Sequence, residues 1–252
     1  MTYSYHCEIY KPIDTEAIAK GTYEIKSLGY TILKNYVSNN YINQVTNELV
    51  RIHSFIKDDS FKGFESSLPR GDQGECLKND INICHLPIYS KIFINMGLNG
   101  DHLKILKNIL NDIHYQLIPN KFPNFILAQM NARIGLNNLP CHNDVRLQMP
   151  GEKTFSVQGF LALDELSEKN GTLKLVPKTH TSGSYPNHKT TNESEVLNLS
   201  LNSGDLVLFD SRLHHATATN NNHDHVWTIL YTYRSWWVKP QFDFWRYFEN
   251  YT

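Results

Sequence analysis

The sequence predicts an α+β fold: a double-stranded β-helix (jelly-roll, cupin-like) core with N-terminal helices packed on one sheet. Two observations predict it. Apolar residues recur with a helical period in the first half of the chain, and with a period of two after Pro123. The strand-like runs of the second half follow one another without helices between them, which indicates an antiparallel barrel or sandwich and not βαβ units. The chain has 252 residues, 40% hydrophobic and 12% aromatic, enough to bury a full core and too apolar for a disordered segment. We therefore expect a single domain over 1–252, mainly helical over 1–122 and built of jelly-roll strands over 123–252.

Taken in order, Gly29-Tyr-Thr-Ile-Leu-Lys-Asn-Tyr-Val37 alternates as a short strand. Ser38 can cap a helix with Ile42, Val45, Leu49, Ile52 and Ile56 on one face. Pro69–Gly74 reads as a loop from its turn residues. Asp101 can cap a helix in which Leu103, Leu106, Ile109, Leu110, Ile113 and Leu117 share a face, ended by Pro119. Strands are expected at 125–134, 154–163, 172–177, 196–201, 205–210 and 226–234, with turns at Glu168–Gly171, Asn202–Asp205 and Asn220–Asn222. The long polar segment Thr181–Glu195 is expected to be a lid or binding loop. The aromatic run from Tyr231 to Phe248 is expected to pack as structure.

Composition narrows the function classes. Lys and Arg number 24 against 25 Asp and Glu, a balance that argues against a nucleic-acid partner. The four cysteines, at 7, 76, 84 and 141, form no CxxC pair and are too few for a disulfide scaffold. No apolar run reaches the length of about 18 residues that a membrane span needs, and MTYSYHCEIYKP lacks the apolar core of a signal peptide. A cytoplasmic location is the expectation. Seven of the twelve histidines stand at or after position 142.

Two segments carry chemistry. In Leu139-Pro-Cys-His142-Asn-Asp144, an imidazole and a carboxylate two residues apart project to the same face of an extended chain. Alone, that tripeptide is a weak signal. The second segment, Gly204 to His215, is a turn, an apolar strand and a histidine pair. Two imidazoles and one carboxylate occupy one face of an octahedral metal and leave positions open, the ligand set of non-heme iron(II) oxygenases. Zinc accepts similar ligands. Adjacent strand residues face opposite ways, so only one of His214 and His215 can join.

These segments, in combination and in order, resemble the phytanoyl-CoA dioxygenase-like branch of the iron(II)/2-oxoglutarate oxygenases. The likeness runs from about Gly29 to Trp237. It rests on Gly29-Tyr-Thr-Ile-Leu33, on His142-Asn-Asp144, on the run from Leu163-Asp164 through Asn170-Gly171 to Pro177-Lys-Thr-His180, and on Gly204 to Asn220. The resemblance implies Fe(II) held by His142, Asp144 and His215. It selects His215 because Asn220 follows five positions later, as in the family. It implies 2-oxoglutarate as cosubstrate and O2 as oxidant, with succinate and carbon dioxide released as a C–H bond is oxidised. Asp144 favours hydroxylation over halogenation, since halogenating members replace that carboxylate.

The sequence departs from the family pattern at two places. An arginine is usual ten or eleven residues beyond the distal histidine, where it grips the far carboxylate of 2-oxoglutarate; here those positions are His225 and Val226. The cosubstrate residues are therefore expected to be His225 and Arg234 with Gln129 and Asn131, and Arg133 and Lys153 are further cations on predicted strands. The family's Pro-Gly-Ser-His turn reads Pro177-Lys178-Thr-His180, without its glycine. Arg146 and Trp237 are the expected substrate-binding residues. The partner expected is a small-molecule substrate, in a specialised natural-product pathway or elsewhere in small-molecule metabolism, and the chain can pair as a homodimer. A cupin-like metalloenzyme that does not use 2-oxoglutarate and a non-catalytic ligand-binding barrel are the alternatives.

Overall fold

The computed structural model describes residues 9–57, 81–115, 117–119, 121–135, 138–145, 148–186, 195–221 and 226–238. Within these the helical half consists of α1 (Thr15–Leu28), α2 (Asn39–Lys57), α3 (Lys91–Leu98) and α4 (His102–Leu110). Asp14 caps α1 by accepting the Ala17 N–H at 2.7 Å, and Gly29 ends it at φ 91°, a conformation that costs glycine little. Helix α2 buries Ile42, Val45, Leu49 and Ile52, the face its periodicity predicts.

The helix expected after Asp101 stops early, at Leu110. Asparagine and aspartate side chains compete for the backbone there. The Asn124 side chain accepts the Asp112 N–H and donates to the Asp112 carbonyl, while Asn111 Oδ1 accepts the Asn124 N–H. These local bonds satisfy groups that another helical turn would have used. Ile113 and Leu117, expected on the buried face, are accordingly exposed.

The strands form two antiparallel sheets. One has six strands, in the order β1 (Tyr30–Leu33), β8 (Leu206–Asp210), β5 (Ser156–Ala162), β10 (Thr228–Ser235), β3 (Phe125–Ile134) and β2 (Ile81–Ile83). The other has four: β4 (Leu139–His142), β9 (His214–Thr217), β6 (Leu173–Val176) and β7 (Leu197–Asn198). This is the expected jelly roll with helices on one sheet. The strand expected over 196–201 contracts to β7, with a separate bridge from Leu201 to Leu166.

Each face of the large sheet has its own apolar core. The helix-facing side joins Met130, Ala132, Ile134, Val157, Leu161, Ile229, Tyr231 and Tyr233 to the buried residues of α1–α4. The other side joins Phe160, Ala162, Val207 and Phe209 to Leu173, Leu175, Leu199 and Leu201 of the smaller sheet and its connections. Strand β5, central in the sheet, is buried at every position. A bulge in β3 pairs Thr232 with Gln129 but Tyr233 with Leu127. The extra residue reverses which way the chain faces. Gln129, Asn131 and Arg133 therefore share the inward face, whereas Leu127 packs against the helix-side core.

Candidate metal centre

Strands β4 and β9 are neighbours, and their register sets His142 directly opposite His215. Asp144 follows β4 and is held to the turn after β8 by its own N–H, donated to the Ser211 carbonyl at 2.8 Å. The ligand atoms of His142, Asp144 and His215 all lie within 4.8 Å of one another. His142 Nε2 is 3.6 Å from Asp144 Oδ1, and His215 Nε2 is 3.7 Å from Asp144 Oδ2.

Both rings are fixed from behind in the same way. His142 Nδ1 bonds the Pro140 carbonyl at 2.8 Å, and His215 Nδ1 bonds the Leu213 carbonyl at 2.9 Å. A carbonyl only accepts, so each Nδ1 carries the proton and each Nε2 presents its lone pair toward the carboxylate. Metal-bound histidines are commonly held in this way. Burial and the neighbouring His142 lower the His215 pKa to about 4, so that ring is neutral at neutral pH. Burial works against protonation of His142 too, but the bond and charge of Asp144 outweigh it and raise its pKa. Burial alone would raise the Asp144 pKa; the two histidines and a bond from Gln158 prevail and lower it. The donor set, two imidazoles and one carboxylate on one side of a common point, fits a divalent metal with open positions. His142 and Asp144 keep roughly a quarter of their side-chain surface exposed (28% and 26%), so the site is open on that side.

His214 faces elsewhere. Its Nε2 bonds the Ser184 carbonyl at 2.8 Å, and its N–H is donated to Thr179 Oγ1. The selection of His215 over its neighbour agrees with this geometry. Asn220, five residues on, is fully buried and bridges to Asn170.

The other expected residues divide into three groups. Gln129 and Asn131 face the barrel interior, Asn131 Oδ1 accepting the His85 N–H at 3.1 Å. Arg234 is buried on β10, opposite Ser156, and the charge of Asp144 acts on it. Trp237 is half-exposed beside Phe155, with ring centres 6.1 Å apart. Lys153 precedes β5 and is exposed, which removes it as an interior cation. Arg146, His225 and most of the segment expected as a lid lie outside the described residues.

Four residues that sequence reading missed support the ligands. Thr232 Oγ1 donates to Gln158 Oε1 at 2.7 Å, which leaves the Gln158 amide N–H groups to bond Asp144. Gln158 was visible as a polar residue inside the apolar run 156–162. Arg212 and Asp210 pair through two bonds, Nε–Oδ1 at 3.0 Å and Nη2–Oδ2 at 2.8 Å. Nothing in their local pattern marked them.

A jelly roll that sets two histidines and a carboxylate around one point defines the architecture of the non-heme metal oxygenases. The phytanoyl-CoA dioxygenase family model matches residues 25–225. The chain therefore belongs to that family, as its motifs led us to expect. A curated relative, dioxygenase af480 of Aspergillus fumigatus, is 23% identical over 158 residues. That match covers 62% of this chain and about half, 48%, of the relative's length. Among solved structures, HygX from Streptomyces hygroscopicus with nickel and 2-oxoglutarate bound superposes with a TM-score of 0.64 at 13% identity, covering 88% of each chain. The epimerase SnoN of nogalamycin biosynthesis, in complex with Fe3+, alpha ketoglutarate and nogalamycin RO, gives 0.63 at 12% identity, covering 88% of this chain and 85% of its own. These structures share the fold. Among the described residues no helix is long and apolar enough to cross a membrane.

Proposed function

We propose that the chain is a single oxygenase domain that uses Fe(II), 2-oxoglutarate and O2 to hydroxylate or otherwise oxidise an unactivated C–H bond of a small-molecule metabolite. The observation that carries this reading is the arrangement of His142, Asp144 and His215, whose two Nε2 atoms and one carboxylate converge with both Nδ1 atoms already committed to backbone carbonyls. Family membership supports the cosubstrate. A natural-product substrate is supported by what similar folds were solved with: HygX with hygromycin B, and SnoN with nogalamycin RO.

Bound Fe(II) would supply the means of activating O2 at the expense of 2-oxoglutarate. This chain's residues would do the rest. His142, Asp144 and His215 hold the ion on one side and leave the exposed flank of His142 and Asp144 for the ligands that come and go. Gln158 steadies the carboxylate, and the charges of Arg234 and Asp144 favour each other's ionised forms. Phe209, 4.9 Å from the His215 ring, closes the apolar side against water.

The test is metal content together with succinate release. The purified protein should bind one equivalent of Fe(II) and form succinate from 2-oxoglutarate under air. His142→Ala and Asp144→Ala should abolish both, and His215→Ala should do so where His214→Ala does not. Full iron binding by the His142→Ala/Asp144→Ala double variant would overturn the reading.

A further inference from the structure

The family pattern puts the cation for the far carboxylate of 2-oxoglutarate early in β10, and the described residues there carry none. The inward positions are Val226, packed against the inter-sheet core, and Thr228, which stands between Ala162 and Arg133. His225 lies outside the described residues. Among the described residues, the buried cations on the strands are two, Arg234 and Arg133.

Their levels in the barrel differ. The metal ligands lie level with the Thr232–Gln158 pair, because Gln158 bonds Asp144. Arg234 is two residues from Thr232 on the same strand, and the charge of Asp144 acts on it. A diacid that chelates a metal through its 2-oxo end must have its other carboxylate met farther off. Arg133 pairs with Thr228, four residues from Thr232, which is about 13 Å along a strand. A five-carbon acid spans part of that interval, and the Arg133 side chain, here turned toward Gly135, covers the rest when it swings back along β3. The Arg133 guanidinium lies over Gly135, where an added Cβ would sit 3.0 Å from Nη2, and its charge is felt at His142. The inward side of β3 thus runs from Gln129, at the ligand level, through Asn131 to Arg133. The Asn131 carbonyl oxygen is taken by the His85 N–H, so its amide offers donors. Amide donors leading to a guanidinium suit a chain that ends in a carboxylate.

We propose that Arg133, on β3, binds the far carboxylate of 2-oxoglutarate in this chain, in place of a cation on β10. This rests on the 2-oxoglutarate reading above. Calorimetric titration of the Ni(II)-loaded protein without turnover tests it, comparing 2-oxoglutarate with 2-oxopentanoate, which has the same five carbons and a methyl group at the far end. The native chain should prefer 2-oxoglutarate by a factor on the order of 10–100, the worth of a charge-assisted bond pair. Arg133→Gln should bind Ni(II) and 2-oxopentanoate as the native chain does and lose the preference. Arg133→Lys should keep part of it, and Arg234→Gln should keep it all. A native chain that binds Ni(II) but neither acid would overturn the cosubstrate reading itself. A native preference that survives in Arg133→Gln, or that vanishes in Arg234→Gln or His225→Gln instead, overturns Arg133 as the anchor. An equal weakening of both acids in Arg133→Gln also overturns it, since that marks a structural role.

Discussion

Arg212 and Asp210 form a two-bond ion pair, nearly closed to solvent, in the turn that delivers His215 to the candidate metal site. The pair is well satisfied. Asp210 also accepts from Thr154 Oγ1 at 2.7 Å and from the Arg212 N–H, and Arg212 Nη1 reaches the Met149 and Gly151 carbonyls. One guanidinium therefore ties the end of β8, the segment before β5 and the start of β9 together. The neighbouring Ser211 carbonyl holds Asp144. Breaking a buried pair by removing one partner leaves a charge with no counterion, at a cost of about 3–5 kcal/mol. Arg212→Met should lower unfolding stability by that order and weaken Ni(II) binding, both read in one urea titration with and without metal. Replacing both residues, as Asp210→Asn with Arg212→Met, should cost less than the single Arg212→Met. A double variant worse than the single would show that the charge balance is not what matters.

The Thr232–Gln158–Asp144 chain is a second support, reaching the metal carboxylate from the opposite sheet. Partners of this kind typically account for 10–100-fold in metal affinity. Gln158→Leu, similar in volume, should weaken Ni(II) binding by about that factor with little change in unfolding of the metal-free protein. Thr232→Val should produce a smaller loss in the same direction. Unaltered affinity in Gln158→Leu would mean that Asp144 is held by its backbone alone.

The three converging residues of the candidate site were legible because their spacing is local: two residues along a strand for His142 and Asp144, and a turn-strand-histidine segment for His215. Gln158, Asp210 and Arg212 were not legible in role, because each acts across strands that are far apart in sequence. The bulge in β3 that turns Gln129, Asn131 and Arg133 to one face and Leu127 to the other was not legible, because a bulge leaves no mark in an alternating pattern. The helix after Asp101 was overextended because a 3.6-residue period ignores the side-chain bonds among Asn111, Asp112 and Asn124 that end it.

Lys178 occupies the place where the family carries glycine, and it adopts φ 68°. A side chain in this left-handed region costs about 1 kcal/mol relative to glycine, and the turn keeps its shape because it is bonded on both sides. The Lys178 N–H is donated to the Leu28 carbonyl, and Thr179 Oγ1 bonds the Val176 carbonyl. Lys178→Gly should therefore stabilise the chain by at most about 0.5 kcal/mol, much of the relief being offset by the freer unfolded glycine. Thermal unfolding checks it. A lower midpoint would mean that the lysine side chain contributes more than its backbone costs.

The helical layer contains a histidine that the metal site does not use. His102 is fully buried between two tyrosines, with Nδ1 3.2 Å from the Tyr36 hydroxyl and Nε2 3.1 Å from the Tyr233 hydroxyl. Tyr233 donates its proton to the Gly97 carbonyl at 2.8 Å, so Nε2 must donate to the Tyr233 oxygen. Tyr36 accepts the His102 N–H at 2.8 Å, and its own proton goes to Nδ1. Every group in this network is satisfied only while the ring is neutral. Burial holds the His102 pKa at about 3, and the nearby Asp101 carboxylate offsets that only in part. An unfolded histidine titrates near 6.5, so between the two values the unfolded chain binds a proton that the native chain refuses. The stability associated with this site is complete above about pH 6.5 and declines as the pH falls toward the native value. Lowering the pH from 7 to 5 should cost roughly 2 kcal/mol through His102 alone. His102→Gln can still donate to Tyr233 and accept from Tyr36, but it does not titrate. The variant should be less stable than the native chain at pH 7 and should lose about 2 kcal/mol less between pH 7 and 5, measured by urea unfolding of the metal-free protein at each pH. Parallel pH profiles for the two proteins would place the acid sensitivity elsewhere.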